Sequence, residues 1–163
     1  RSSPPAASSA TASSMEVKKI LCAVDLEDTI APSVEYAKMM ASMTGASILV
    51  AYVIPAHTPY EDVYLSVNNQ PNEVNNPNET IQKSMNALLA EQFAGMDATG
   101  VILVGRPSEE LVKLAEEKGA NLIVMGTHGR AGFDRLLFGS VAHEVVRAAP
   151  CPVMTVRPLM PKK

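Results

Sequence analysis

The sequence predicts an open α/β fold, a single parallel sheet with helices on both faces. Three observations carry that reading. Short runs rich in Val, Ile and Leu alternate along the chain with stretches whose apolar residues recur at helical spacing. The apolar runs are continuous, not alternating, as expected of strands buried on both faces of a parallel sheet. Finally, a glycine-rich segment follows one of these runs and leads into a helical pattern, the arrangement that places ligands at the carboxyl end of a parallel strand.

In chain order, residues 1–14 (RSSPPAASSATASS) show no periodicity and almost no large apolar residue, so they read as a disordered extension or cloning remnant outside the domain. The domain is expected over 15–158, with a short tail at 159–163. Val17–Val24 is an apolar run ending at Asp25, read as a central strand. Ile30, Val34, Ala37, Met40 and Ala41 then keep helical spacing as far as a stop at Gly45. Ser47–Ile54 is the second strand. Pro55–Asn78, rich in Asn and Pro, reads as a long excursion, either a lid over the ligand or a tolerated insertion. A helix begins at Asn78 or Glu79 and buries Ile81, Met85, Leu88, Leu89 and Phe93, ending near Gly95.

Ala98–Val104 is the third strand, weakened by Gly100. After the turn Gly105-Arg106-Pro107, Ser108 is placed to cap a helix whose first turn holds Glu109 and Glu110 and whose stripe is Leu111, Val112, Leu114 and Ala115, with Gly119 at the stop. Leu122–Met125 is the fourth strand, Val141–Arg147 the last helix, and Val153–Val156 the last strand, after the break at Pro150-Cys151-Pro152.

Composition narrows the class. The chain has 163 residues, 47% hydrophobic and 19% charged, with a formal charge of −3, which fits one globular domain and gives no electrostatic reason to expect nucleic acid or an anionic membrane as partner. No apolar stretch approaches the roughly 20 residues that span a bilayer. Two cysteines at unrelated positions, Cys22 and Cys151, make no disulfide framework, and a reducing cytoplasm is the expected location.

The most informative stretch runs from Gly126 to Ser140 with the spacing G-x2-G-x9-G-S, through Gly126, Gly129, Gly139 and Ser140. Glycines let a ligand approach the main chain, and a helix N-terminus offers unpaired N–H groups to an anion. It is neither a Walker A loop nor a G-x-G-x-x-G turn. On loop chemistry alone, a phosphate cradle and an ordinary surface loop with a serine N-cap stand equal. The spacing, with Met125 before it and Val141 after it, resembles the nucleotide loop of the ATP-binding branch of the universal stress protein family. The likeness extends through most of Met15–Pro158, including Ile20-Leu-Cys-Ala-Val-Asp25 and Cys151-Pro-Val-Met-Thr-Val156.

That resemblance implies a Rossmann-like sheet of order 3-2-1-4-5, akin to the adenine nucleotide alpha hydrolases, with a ligand crevice between strands one and four. It implies Ala23 and Val24 on the adenine side, Val53 contacting the base through its backbone, and Met125 flanking the pocket; without the resemblance, core packing explains these apolar strand-end residues equally well. Gly126, Gly129, Gly139, Ser140 and Val141 carry over as the phosphate set. By position, His128 and Arg130 add charge near the phosphates or belong to a solvated loop face. Asp25 suits ribose hydroxyls, helix capping or a turn bond, being acceptor-only when ionised, and the resemblance favours ribose. The implied protein is an adenine-nucleotide (ATP, ADP or AMP) binding regulator of stress responses, dimeric through Val153–Val156, with any Mg²⁺ held by phosphates and water.

Catalytic constellations are weak. His57, His128 and His143 have no metal-ligand spacing, and neither cysteine has an evident base partner. Ser140 with His143 three residues on is better explained as a helix cap than as a hydrolase dyad. The paired-histidine signature H-x-G-H of adenylyl-transferring relatives of this architecture is missing. Binding without robust turnover is therefore the expectation; slow ATP hydrolysis or phosphate transfer, and a nucleotide-free scaffold, are the alternatives.

Overall fold

The computed structural model describes residues 16–26, 31–55, 77–127 and 139–158. The elements are β1 (Lys19–Ala23), α1 (Pro32–Thr44), β2 (Ser47–Pro55), α2 (Pro77–Gln92), β3 (Ala98–Gly105), α3 (Pro107–Lys118), β4 (Leu122–Gly126), α4 (Ser140–Ala148) and β5 (Val153–Val156). The strands form one sheet, β3-β2-β1-β4-β5, in which every neighbouring pair is parallel. The chain winds outward from β1 through β2 to β3, then returns to the far side of β1 to lay down β4 and β5. The winding therefore reverses between β1 and β4.

Strand alternation sorts the core into two layers. Ile20, Cys22, Ile48, Val50, Leu122 and Val124 face one way and pack with Val34, Ala37 and Ala41 of α1 and Met85 and Leu88 of α2. Leu21, Ala51, Val53, Ile123 and Met125 face the other way, against Leu111, Leu114 and Ala115 of α3 and Ala142 and Val145 of α4. The central strands β1 and β4 are buried on both faces, which is why their sequences read as unbroken apolar runs. Both α1 and α3 end as their spacing predicts, at left-handed C-caps: Gly45 at φ 74° and Gly119 at φ 65°.

Element boundaries shift where local chemistry outweighs periodicity. The β1 ladder is Lys19–Ala23, shorter than Val17–Val24, while β2 and β3 run on to Pro55 and Gly105. Helix α2 starts at Pro77, because proline's fixed φ suits a first helical turn and it has no N–H to leave unpaired. Val112 is only half-buried and lies off the core stripe of α3. Ser108 is not a cap: Pro107 sits in the first turn, the N-cap is Arg106 with extended backbone, and no side chain caps the helix. The expectations for 1–14, for most of the 55–78 excursion, for Ile30 and for the 159–163 tail lie outside the described residues.

One side chain sews β1 to β4. Asn121, just before β4, accepts through Oδ1 the N–H of Lys18 at 2.8 Å and that of Lys19 at 2.9 Å. Its own N–H donates to the Lys19 carbonyl at 2.8 Å. Asn121→Ala leaves two N–H groups without their acceptor, one of them part-buried, and is expected to cost about 1–2 kcal/mol. Urea unfolding should show a lower midpoint with an unchanged slope. A midpoint equal to the parent's would show that water replaces the amide at no cost.

Candidate functional site

The carboxyl ends of β1 and β4 meet where the winding reverses, the position at which open α/β sheets hold ligands. Ala23 closes β1, and pairing persists one residue further through Val24 N–H to the Ala51 carbonyl at 2.9 Å. Asp25 follows, half-buried, at the strand's exit. Next door, β2 carries Val53, buried and directed with Ala51 and Met125 into the α3–α4 layer. Across β1, Met125 is buried and Gly126 ends β4 in register with Val156.

Beyond β4 the chain is anchored twice. Thr127 N–H donates to the Val156 carbonyl at 3.0 Å, and Gly139 N–H donates to the Thr127 carbonyl at 2.7 Å. The buried Thr127 thus joins the end of β4 to the start of α4. Gly139 is the N-cap, extended at φ −62° and ψ 150°, and no side chain caps the helix. Ser140 is the first helical residue, so the reading of its hydroxyl as an N-cap is overturned. The residue is exposed.

The intrahelical ladder begins with His143 N–H to the Gly139 carbonyl at 2.9 Å. Among the described residues, the N–H groups of Ser140, Val141 and Ala142 have no recorded acceptor. They form the set of donors that a helix N-terminus turns toward an anion. The first turn of α4 carries no acidic residue, whereas that of α3 carries Glu109 and Glu110. First-turn carboxylates thus stand at the start of α3 and not at that of α4.

Ala23, Val24, Asp25, Val53, Met125, Gly126, Gly139, Ser140 and Val141 thus lie on the ends of β1, β2 and β4 and the start of α4. His128, Gly129 and Arg130 lie outside the described residues. Periodicity missed a second polar cluster. The Ser108 hydroxyl, on a buried residue, donates to Glu144 Oε2, and Arg106 Nη2 reaches Glu144 Oε1 at 3.1 Å. The hydrogen bond from Ser108, followed by the charge of Arg106, holds the Glu144 carboxyl below its ordinary range. The cysteines do not suit nucleophilic chemistry: burial pushes the Cys22 thiol up to about 12 and raises that of Cys151. Among the described residues, no helix is long and apolar enough to cross a membrane.

These features define an open, doubly wound α/β protein whose winding reverses between β1 and β4. Residues 16–157 match the model of the universal stress protein family, and the chain belongs to that family. It is similar to universal stress protein MJ0531 of Methanocaldococcus jannaschii, with 33% identity over 150 residues, 90% of this chain and 84% of that protein. The solved structure of MJ0577 from the same organism has the same fold, with TM-score 0.71, 29% identity, and coverage of 88% of this chain and 98% of that one. Two more distant structures share the fold. One is a universal stress protein in complex with cAMP, with TM-score 0.63, 22% identity, and coverage of 87% of this chain and 98% of that one. The other is the universal stress protein from Archaeoglobus fulgidus in complex with dAMP, with TM-score 0.54, 22% identity, and coverage of 86% and 98%.

Proposed function

We propose that this protein binds ATP as a cytoplasmic, regulatory universal stress protein and acts by binding, without robust turnover. The observation that carries the reading is the uncapped start of α4. Its Ser140, Val141 and Ala142 N–H groups lack acceptors among the described residues, and they stand beside the exits of β1 and β4. In this reading Gly126, Gly139, Ser140 and Val141 hold the phosphates together with Gly129, and His128 and Arg130 add positive charge. Asp25 accepts from the ribose, while Ala23, Val24, Val53 and Met125 enclose the base. Mg²⁺ is held by the phosphates and water, as this hard ion usually is at nucleotide sites. The adenine-nucleotide complexes of the two distant relatives support the ligand class.

Calorimetric titration of the purified protein with ATP tests the proposal, with native mass spectrometry of the same sample reporting any co-purified nucleotide. Saturable one-to-one binding is expected. A protein that neither carries nor binds adenine nucleotide would be a scaffold instead.

The same reading makes the protein a homodimer through β5, which lies at the sheet edge with half-buried residues. Open apolar edges invite pairing. Pro152 and Val156 turn their carbonyls to β4, so Thr155, in the opposite phase, presents its N–H to the free edge. Thr155→Pro deletes that outward donor and leaves the β4 ladder intact. Sedimentation should show dimer in the parent and monomer in the variant; a dimer in both would place the interface elsewhere.

A further inference from the structure

Glu144 lies four residues after Ser140 on the same helix, so it stands one turn beneath the proposed phosphate donors. A carboxylate in that place repels an incoming phosphate and offsets the positive end of the helix dipole. The structure answers it from the neighbouring helix. Arg106, the N-cap residue of α3, brings Nη2 to 3.1 Å from Glu144 Oε1 and Nη1 to 3.5 Å from Glu109 Oε1. Ser108 holds the other oxygen of Glu144 and so fixes the carboxylate toward α3.

We propose that Arg106 is an affinity determinant for phosphate at this site: it neutralises Glu144, so that an anion meets the start of α4 without an opposing carboxylate beneath it. The inference rests on the nucleotide reading above and adds a residue that neither the glycine spacing nor the strand ends point to. Arg106 acts here through Glu144 and is a positioning and charge-balancing residue. The bond from Ser108 and the charge of Arg106 both favour the ionised form of Glu144, so the negative charge requiring compensation is present at neutral pH.

Four proteins test this: the parent, Arg106→Ala, Glu144→Gln and the double variant, each titrated by calorimetry with ATP and with adenosine at low and high salt. Arg106→Ala should weaken ATP roughly three- to tenfold at low salt, the scale of a few charges interacting through solvent across about a helical turn. Glu144→Gln should bind more tightly than the parent, because the carboxylate beneath the donors is gone while Arg106 keeps its charge beside Glu109. The double variant should return close to the parent, a recovery that neither a structural defect nor a lost direct contact would give. Adenosine affinity should be the same in all four, and the ATP differences should shrink at 0.5 M salt, where the screening length falls to roughly 4–5 Å.

A double variant as weak as Arg106→Ala would overturn the proposal in favour of a direct contact between Arg106 and phosphate. Equal loss for adenosine would overturn it in favour of a structural defect. If the parent binds ATP and Arg106→Ala binds equally, this inference fails alone. If the parent neither carries nor binds adenine nucleotide, the nucleotide reading fails and takes this inference with it.

Discussion

Gly100→Val is expected to cost the fold about 3 kcal/mol, the upper end of the range for overpacking a filled core. Gly100 lies within β3, where a Cβ would come 2.7 Å from Met85 Cγ, 2.9 Å from Met85 Sδ and 3.0 Å from Leu89 Cδ1. Met85 is fully buried, so its side chain can move only into space that other residues already fill. Valine's preference for strands offsets part of the penalty, by less than about 1 kcal/mol. For a chain of this size the melting temperature should fall by roughly 6–12 °C. Met85→Ala in the same background should recover part of the loss, because the two changes act on one volume. A melting temperature for Gly100→Val within a degree of the parent would show that α2 shifts freely on β3.

The same glycine shows what the sequence could and could not carry. Read locally, Gly100 weakens a strand pattern; in the structure β3 runs uninterrupted from Ala98 to Gly105, because Met85 from α2 occupies the missing side chain's place. Apolar runs and helical stripes were legible because burial on two faces or on one stripe leaves a direct pattern in the sequence. Long-range partners leave none. Ser108 looked like a cap because it stands at a helix start, and its true acceptor, Glu144, is 36 residues away. The strand order was likewise beyond the alternation of elements and came from resemblance, as did the gathering of Asp25, Gly126 and Ser140 at one edge. The glycine spacing was legible, but its middle, with His128, Gly129 and Arg130, lies outside the described residues.

Ser140→Pro should abolish ATP binding at micromolar concentrations while leaving the fold intact. Proline is well suited to the first position of a helix, since its fixed φ matches and its missing N–H is one the helix does not use. Here the Ser140 N–H has no recorded acceptor among the described residues. The residue before a proline is driven to extended or polyproline geometry, and Gly139 already has φ −62° and ψ 150°. The Ser140 side chain is exposed, so the substitution opens no cavity. In the proposed site, however, it removes both the N–H and the hydroxyl and sets a ring carbon where the phosphate would approach. Each hydrogen bond to a charged group is worth about 1.5–3 kcal/mol, so losing two weakens binding by roughly two to four orders of magnitude. Ser140→Ala, which loses the hydroxyl alone, should fall between the parent and the proline variant. Gly129→Asp, which adds bulk and negative charge within the proposed phosphate set, should be nearly as damaging as the proline. Calorimetric titration decides the order, with thermal unfolding of the ligand-free proteins as the control. If Ser140→Pro melts like the parent and still binds ATP like the parent, α4 does not hold the phosphates.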